Sequence, residues 1–241
     1  MRLSILATVA VVVGVASAIA VAAGPPAPAP AAPPDPSKAN PCAEVKNCNT
    51  IEGPWVAVPA TGEANFLLEC PKRAGTIGGT DALASSSDVR VVWEGNPGSP
   101  VRPGTTTVFF AFFRASSAHG RPGAFRPYIG CIPPQKANPR ARVSARITHP
   151  GNFLDRRQSL LRLKPGATQI ASQDCGKGER LLDGWYAVVF ATSTPPGPAL
   201  GSKVRVTLVT VNDKIVATAH TEAGMPASAL AQLQVGAVCA K

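Results

Sequence analysis

Asp174, Glu179 and Asp183 fall within ten residues of one another, and a pair of facing carboxylates is what a glycosidase uses, one as acid and the other as base or nucleophile. That makes an extracellular hydrolase, with its site around this acidic turn, one reading of the chain. The other reading is that these are solvated turn acids, since aspartate and its neighbours favour turns for local hydrogen-bonding reasons. Other catalytic patterns are missing. The chain has no G-x-S-x-G elbow, no H-E-x-x-H, no calcium loop and no phosphate loop. The six cysteines contain no C-x-x-C pair, and the three histidines, His119, His149 and His220, sit at no ligand spacing. Neither a metal nor any other cofactor is expected, and an enzyme is not the leading expectation.

Charge is the more informative signal. The formal net charge is +10, and the stretch from Lys136 to Lys164 holds eight basic residues against one acid, Asp155. They are Lys136, Arg140, Arg142, Arg146, Arg156, Arg157, Arg162 and Lys164. In "RVSARITH", Arg142 and Arg146 share one face of an extended strand; in "RRQSLLRLK", Arg156, Gln158, Arg162 and Lys164 share a face opposite Leu161 and Leu163. Two such strands on one sheet surface would make a basic belt. Arginine suits anionic partners, because its planar fork meets phosphate or carboxylate in bidentate fashion. The same residues also fit an ordinary solvated face.

The elements that would carry these groups repeat. "ECPKRAGTIGGTDA" from Glu69 and "DCGKGERLLDGWYA" from Asp174 align at an offset of 105, matching Cys70 with Cys175, Lys72 with Lys177, Gly79 with Gly184 and Ala82 with Ala187. Each reads as a cysteine followed by a glycine-rich turn region. The offset also lays "WVAVPATGEANFLLEC" over "LLRLKPGATQIASQDC", both strand, turn, strand, cysteine. An even number of cysteines in an exported chain reads as disulfides. Because a cysteine closes a glycine-containing apolar segment 61 residues after Cys70 and again 64 after Cys175, the repeat pairs Cys70 with Cys131 and Cys175 with Cys239. Cys42 and Cys48 then close a short loop.

Only 5% of residues are aromatic while prolines number 25, a mix that favours short strands between punctuated turns over long helices. Strands are expected at "DVRVVW" (88 to 93), "TTTVFFAFFRA" (105 to 115), "GWYAVVFAT" (184 to 192) and "KVRVTLVTV" (203 to 211), with a tight hairpin at Asn212 and Asp213. Trp185 and Tyr186 must fall on opposite faces of their strand, one in the core and one exposed. The expected fold is all-β, two related β-sandwich-like units stapled by disulfides, standing in tandem or forming one pseudo-symmetric sandwich. The organisation reads as 1–23 leader, 24–41 linker, 42–50 small disulfide loop, 51–135 first unit, 136–155 basic connector with a strand, and 156–241 second unit.

The leader has one arginine before a run without charges from Leu3 to Ala23 that ends in small residues, the form of an export signal. The run is also long enough to span a bilayer if it is not removed, so residues 3–23 either leave or anchor the chain to a membrane. Residues 24–41 hold eight prolines in 18 positions. Extended as polyproline II, they would reach about 55 Å and act as a stalk.

"CPKRAGTIGG", "CGKGERLLDGW" and the closing "LQVGAVCAK" resemble the cysteine, glycine and terminal "AVCA" signatures of secreted β-repeat proteins of high-GC bacteria that carry no assigned activity. The resemblance implies an extracellular β fold and supplies no catalytic residue; the first unit departs from it, with "GCIPP" in place of "AVCA". The chain is accordingly expected to be an exported, non-enzymatic binding or structural protein of the cell envelope or extracellular space. Its expected partner is an anionic cell-wall polymer or an acidic lipid headgroup, met through Arg140, Arg142, Arg146, Arg156, Arg157, Arg162 and Lys164. Nucleic acid is not expected, because export removes the chain from it and no exposed aromatics alternate with the arginines to stack bases.

Overall fold

The computed structural model describes residues 39–43, 48–71, 76–94, 110–132 and 154–240, all within one compact unit spanning Ala32–Lys241. These residues are nearly all β. The first half contributes β1 (Asn49–Glu52), β2 (Trp55–Val58), β3 (Glu63–Glu69), β4 (Thr76–Ala84), β5 (Val89–Glu94), β6 (Phe110–Ser117) and β7 (Gly123–Ile132). The second contributes β8 (Leu154–Arg162), β9 (Thr168–Asp174), β10 (Arg180–Phe190), a one-turn helix α1 (Pro198–Gly201), β11 (Val204–Val211), β12 (Lys214–Thr221) and β13 (Ala231–Ala240).

Pairing of β2 with β10 keeps the sheets from dividing clearly into two sandwiches. One seven-stranded sheet runs β1-β7-β2-β10-β13-β8, with β4 on the other side of β7, while β11-β12-β9 and β3-β6-β5 form two smaller sheets. β1 and β2 lie along the same edge of β7 and are parted by Gly53 and Pro54; proline lacks the donor a ladder needs. Among the described residues, the large sheet crosses from the first half to the second at two residue pairs, Val56 with Val189 and Trp55 with Phe190. That junction puts β10 between two cores. Its Ala187 and Val189 belong to the cluster of Val56, Phe66, Phe113, Phe125 and Ile129, and its Val188 and Phe190 belong to the cluster of Ile215, Ala217, Leu233 and Val235. A strand buried on both faces reads as a continuous apolar run, as in "WYAVVF". Trp185 is buried and Tyr186 partly exposed, so the two residues divide between faces as the alternation requires.

β3 and β6 are also buried on both sides. Phe66, Leu68 and Phe113 face the first core, while Leu67, Phe110 and Phe112 pack with Trp185. The β3-β6 layer therefore lies between the β2–β7 part and the β10–β13 part of the large sheet. A buried glutamine ties it to the second part. Gln234 is 0% exposed; its Oε1 accepts from the Leu67 main-chain N–H at 2.8 Å and from Trp185 Nε1 at 3.3 Å. Its Nε2 donates to the Leu67 carbonyl at 2.9 Å and to Gln158 Oε1. The amide thus fills all four of its hydrogen-bonding positions, and it continues the sheet pairing of β3 with a side chain where no strand lies alongside.

Two details of the duplicated frame differ from the reading by sequence. Residues 76–84 are strand, not turn: β4 pairs with β7, with a bulge between Ile77 and Gly79. Glycine is required at 79 by close approach, since a Cβ there would lie 2.4 Å from the Pro41 carbonyl oxygen. The corresponding demand in the second half is at Gly184, where a Cβ would lie 2.3 Å from the Ile215 side chain. The second basic strand, β8, starts at Leu154, inside the expected connector; the strand expected over "RVSARITH" and residues 105–109 lie outside the described residues. The Asn212-Asp213 hairpin is present, both residues with positive φ, 49° and 58°, as the favoured two-residue turn demands.

All three disulfides join the partners expected from the repeat: Cys42–Cys48, Cys70–Cys131 and Cys175–Cys239.

Candidate functional site

Among the described residues, β8 is an edge strand paired only to β13, with Arg162 opposite Gln232 and Arg156 opposite Val238. Alternation sends Arg156, Gln158, Leu160 and Arg162 to one face and Arg157, Ser159 and Leu161 to the other. The arginines of that strand have different fates. Arg156 does not form part of an outward row: its guanidinium lies 4.7 Å over the Phe112 ring, a cation–π contact that closes the core shared by Phe112 and Trp185. Arg157 is bound to Glu179 at 2.9 Å and to Asp155 at 3.2 Å. Arg162 and Lys164 are exposed, and neither is in an ion pair among the described residues. Arg140, Arg142, Arg146 and Lys136 lie outside the described residues.

The acids of the second unit do not gather into a catalytic pair. The Glu179 side chain is 7% exposed, held by Arg157 and by the Gly176 N–H at 2.7 Å. Asp174 lies 3.3 Å from Lys214 Nζ, and Asp183 accepts from the Gly184 N–H at 2.7 Å. Each carboxylate is thus engaged separately, as a turn or strand acid. Glu179 does approach Cys175 and Cys239, with ligand atoms within 4.8 Å, but those sulfurs form the disulfide and offer no thiolate to a metal.

Elsewhere, Asp88 lies 2.7 Å from His119 Nδ1 and 2.8 Å from Arg121 Nη2. The hydrogen bond to His119, helped by Arg121, holds its carboxyl below the ordinary value of 3.8 against the upward push of burial. A carboxylate whose pKa falls on folding stabilises the fold above the unfolded pKa and loses that contribution as pH drops through the folded one. A carboxyl-detected NMR titration should therefore place the Asp88 midpoint below 3.8; a midpoint at or above it would contradict the pairing.

Two hollows accompany these groups. The first, about 340 Å³, opens where β2 and β10 diverge past their two paired positions, and is lined by Val58, Pro59, Pro122, Tyr186, Pro196 and Val204 among others. The second, about 330 Å³, lies at the C-terminal end of β8, between Arg162–Pro165 and the Met225–Ala231 segment. Neither is lined by Asp174, Glu179 or Asp183. Sequence reading singled out Arg162 and Lys164 for their charge but missed the apolar segment beside them, which follows a β-strand 60 residues later and carries no local signal. Compared with known proteins, the chain matches no protein-family model, no curated protein and no solved structure.

Proposed function

We propose that the chain is an exported, non-enzymatic binding module of the cell envelope or extracellular space, and that it meets anionic polymer with the cations at the end of β8. The observation that carries this reading is that Arg162 and Lys164 are exposed and have no acid partner among the described residues, while Arg157 and the three nearby acids are already engaged within the fold. Arg140, Arg142, Arg146 and Lys136 add positive charge earlier in the sequence. Three disulfides are compatible with an oxidising, extracellular setting. The two halves are read here as related units fused through one sheet. In support, β2 and β4 flank β7 as β8 and β10 flank β13, and β3-β6-β5 matches β9-β12-β11.

Binding of this kind weakens with salt, because screening shortens its reach to about 10 Å at 0.1 M ionic strength and to about 3 Å at 1 M. Retention on purified anionic wall polymer is expected to fall steeply along a salt series, and Arg162→Gln/Lys164→Gln is expected to elute earlier than the native chain. Arg156→Gln is expected to lower the melting temperature instead, since its guanidinium covers Phe112. Equal retention of native and double-variant chains, or retention indifferent to salt, would sink the reading.

A further inference from the structure

We infer that the hollow at the end of β8 is a binding site for a single-chain anionic amphiphile, an acyl tail carrying a carboxylate or phosphate head. This rests on the reading of Arg162 and Lys164 as anion contacts and assigns them a more definite ligand. The hollow, about 330 Å³, is of the size that takes a small ligand. Its lining is apolar on the side of the β12–β13 connection, with Met225, Pro226, Ala227 and Leu230, and on the opposite side Leu163 and Pro165 alternate with the two cations. Leu163 and Met225 are buried at its base and belong to the second core, so the floor is part of a rigid packed layer. Arg162 and Lys164 stand two residues apart on the rim. Glu222, the one acid of the 222–230 connection, forms no ion pair with either among the described residues.

An amphiphile fits both features at once. A bare anion would leave the apolar lining facing water, and a neutral chain would leave two cations without a counter-charge. Leu230 adds a further sign. It is a non-glycine residue in the left-handed region, φ 44°, and the residue is 39% exposed at the lip of the hollow. Leucine in that conformation is strained, and such strain is found at ligand clamps more often than elsewhere. The tail would lie against Met225, Pro226 and Leu230, and the head would accept hydrogen bonds from the Arg162 fork and the Lys164 ammonium.

The test is calorimetric titration of the full chain with dodecanoate below its micellar concentration, beside dodecyl maltoside, acetate and anionic phosphatidylglycerol vesicles. All variants carry the same first 38 residues, so differences between them report the hollow. Dodecanoate is expected to bind at one site, dodecyl maltoside at least about tenfold more weakly and acetate not measurably, as loss of a charged contact to a paired site predicts. Arg162→Gln/Lys164→Gln should weaken dodecanoate by about tenfold or more without altering the maltoside. Ala227→Trp should block both by filling the hollow; Leu230→Asn, which tolerates the left-handed backbone, should weaken both and guards against misfolding of the bulkier variant. Acetate binding as tightly as dodecanoate, binding to vesicles alone, or dodecanoate binding untouched by Ala227→Trp and Leu230→Asn would each overturn the inference. If polymer retention persists while dodecanoate fails to bind, this inference alone falls. If Arg162→Gln/Lys164→Gln changes neither, the reading beneath it falls with it.

Discussion

Gln234→Leu is expected to destabilise the protein by about 4 kcal/mol, although leucine is close in size and the position is completely buried. The substitution removes partners from four groups at once: the Leu67 N–H, the Leu67 carbonyl, Trp185 Nε1 and Gln158 Oε1. A buried polar group left without its partner costs about 1–3 kcal/mol, whereas the hydrogen bond itself contributes about 1. The two Leu67 groups dominate, because that residue is 1% exposed and water cannot reach it. Gln158 is half-buried and can turn to solvent when Gln234 is lost; Gln158→Ala instead leaves a single Gln234 Nε2 hydrogen buried without an acceptor and is expected to cost about 1–2 kcal/mol, less than Gln234→Leu. Equilibrium denaturation with matched m-values would show the difference. If Gln234→Leu unfolded at the native midpoint, the glutamine would be no more than a passenger and the β3 layer would be held by apolar packing alone.

How far this could be read from sequence depends on the range of the interaction. Strand periodicity, the Asn212-Asp213 turn and the cysteine spacing are local or repeated signals, and they place β5, β10, β11 and β12 and all three disulfides closely. Glycine is ambiguous at short range. The same residue serves a turn and a close approach, and "TIGG" reads as turn until the Pro41 carbonyl is seen above Gly79. Partner choice among charges is not local at all. Arg156 and Arg162 stand on the same face of the same strand, yet Phe112 lies under one, and the other has no ion pair among the described residues. Gln234 offered one weak sign, a polar residue inside "LQVGAV", but an outward-facing position would look the same. The strand in "GWYAVVFAT" was legible from its apolar run, with one of Trp185 and Tyr186 expected outward; that it serves two cores depends on its pairing with β2, which no local signal shows.

Removing the disulfide that closes the second half, by Cys175→Ala/Cys239→Ala, is expected to cost about 4 kcal/mol, against about 2 kcal/mol for Cys42→Ala/Cys48→Ala. In the chain-entropy model the difference comes from loop length, with sequence separations of 64 and 6. Exchanging both cysteines avoids a free thiol that could mispair. The native surroundings act in the same direction. Cys239 is 0% exposed and packs with Leu233, Val235 and Ala237, so two alanines there leave unfilled core space, whereas Cys42 and Cys48 lie against Gly130 outside the three core clusters. The crosslink also fixes the turn after β9, in which Glu179 accepts from the Gly176 N–H and pairs with Arg157 of β8. Loosening that turn should free Arg157 along with it. Both double variants would be unfolded in urea and followed by tryptophan fluorescence, with Trp185 beside Phe112 as the reporter of the second half. Greater loss from the short loop than from the long one would reject loop closure as the source of stability. It would indicate instead that the cover Cys42 and Cys48 place over Gly130 matters more than the chain they tie.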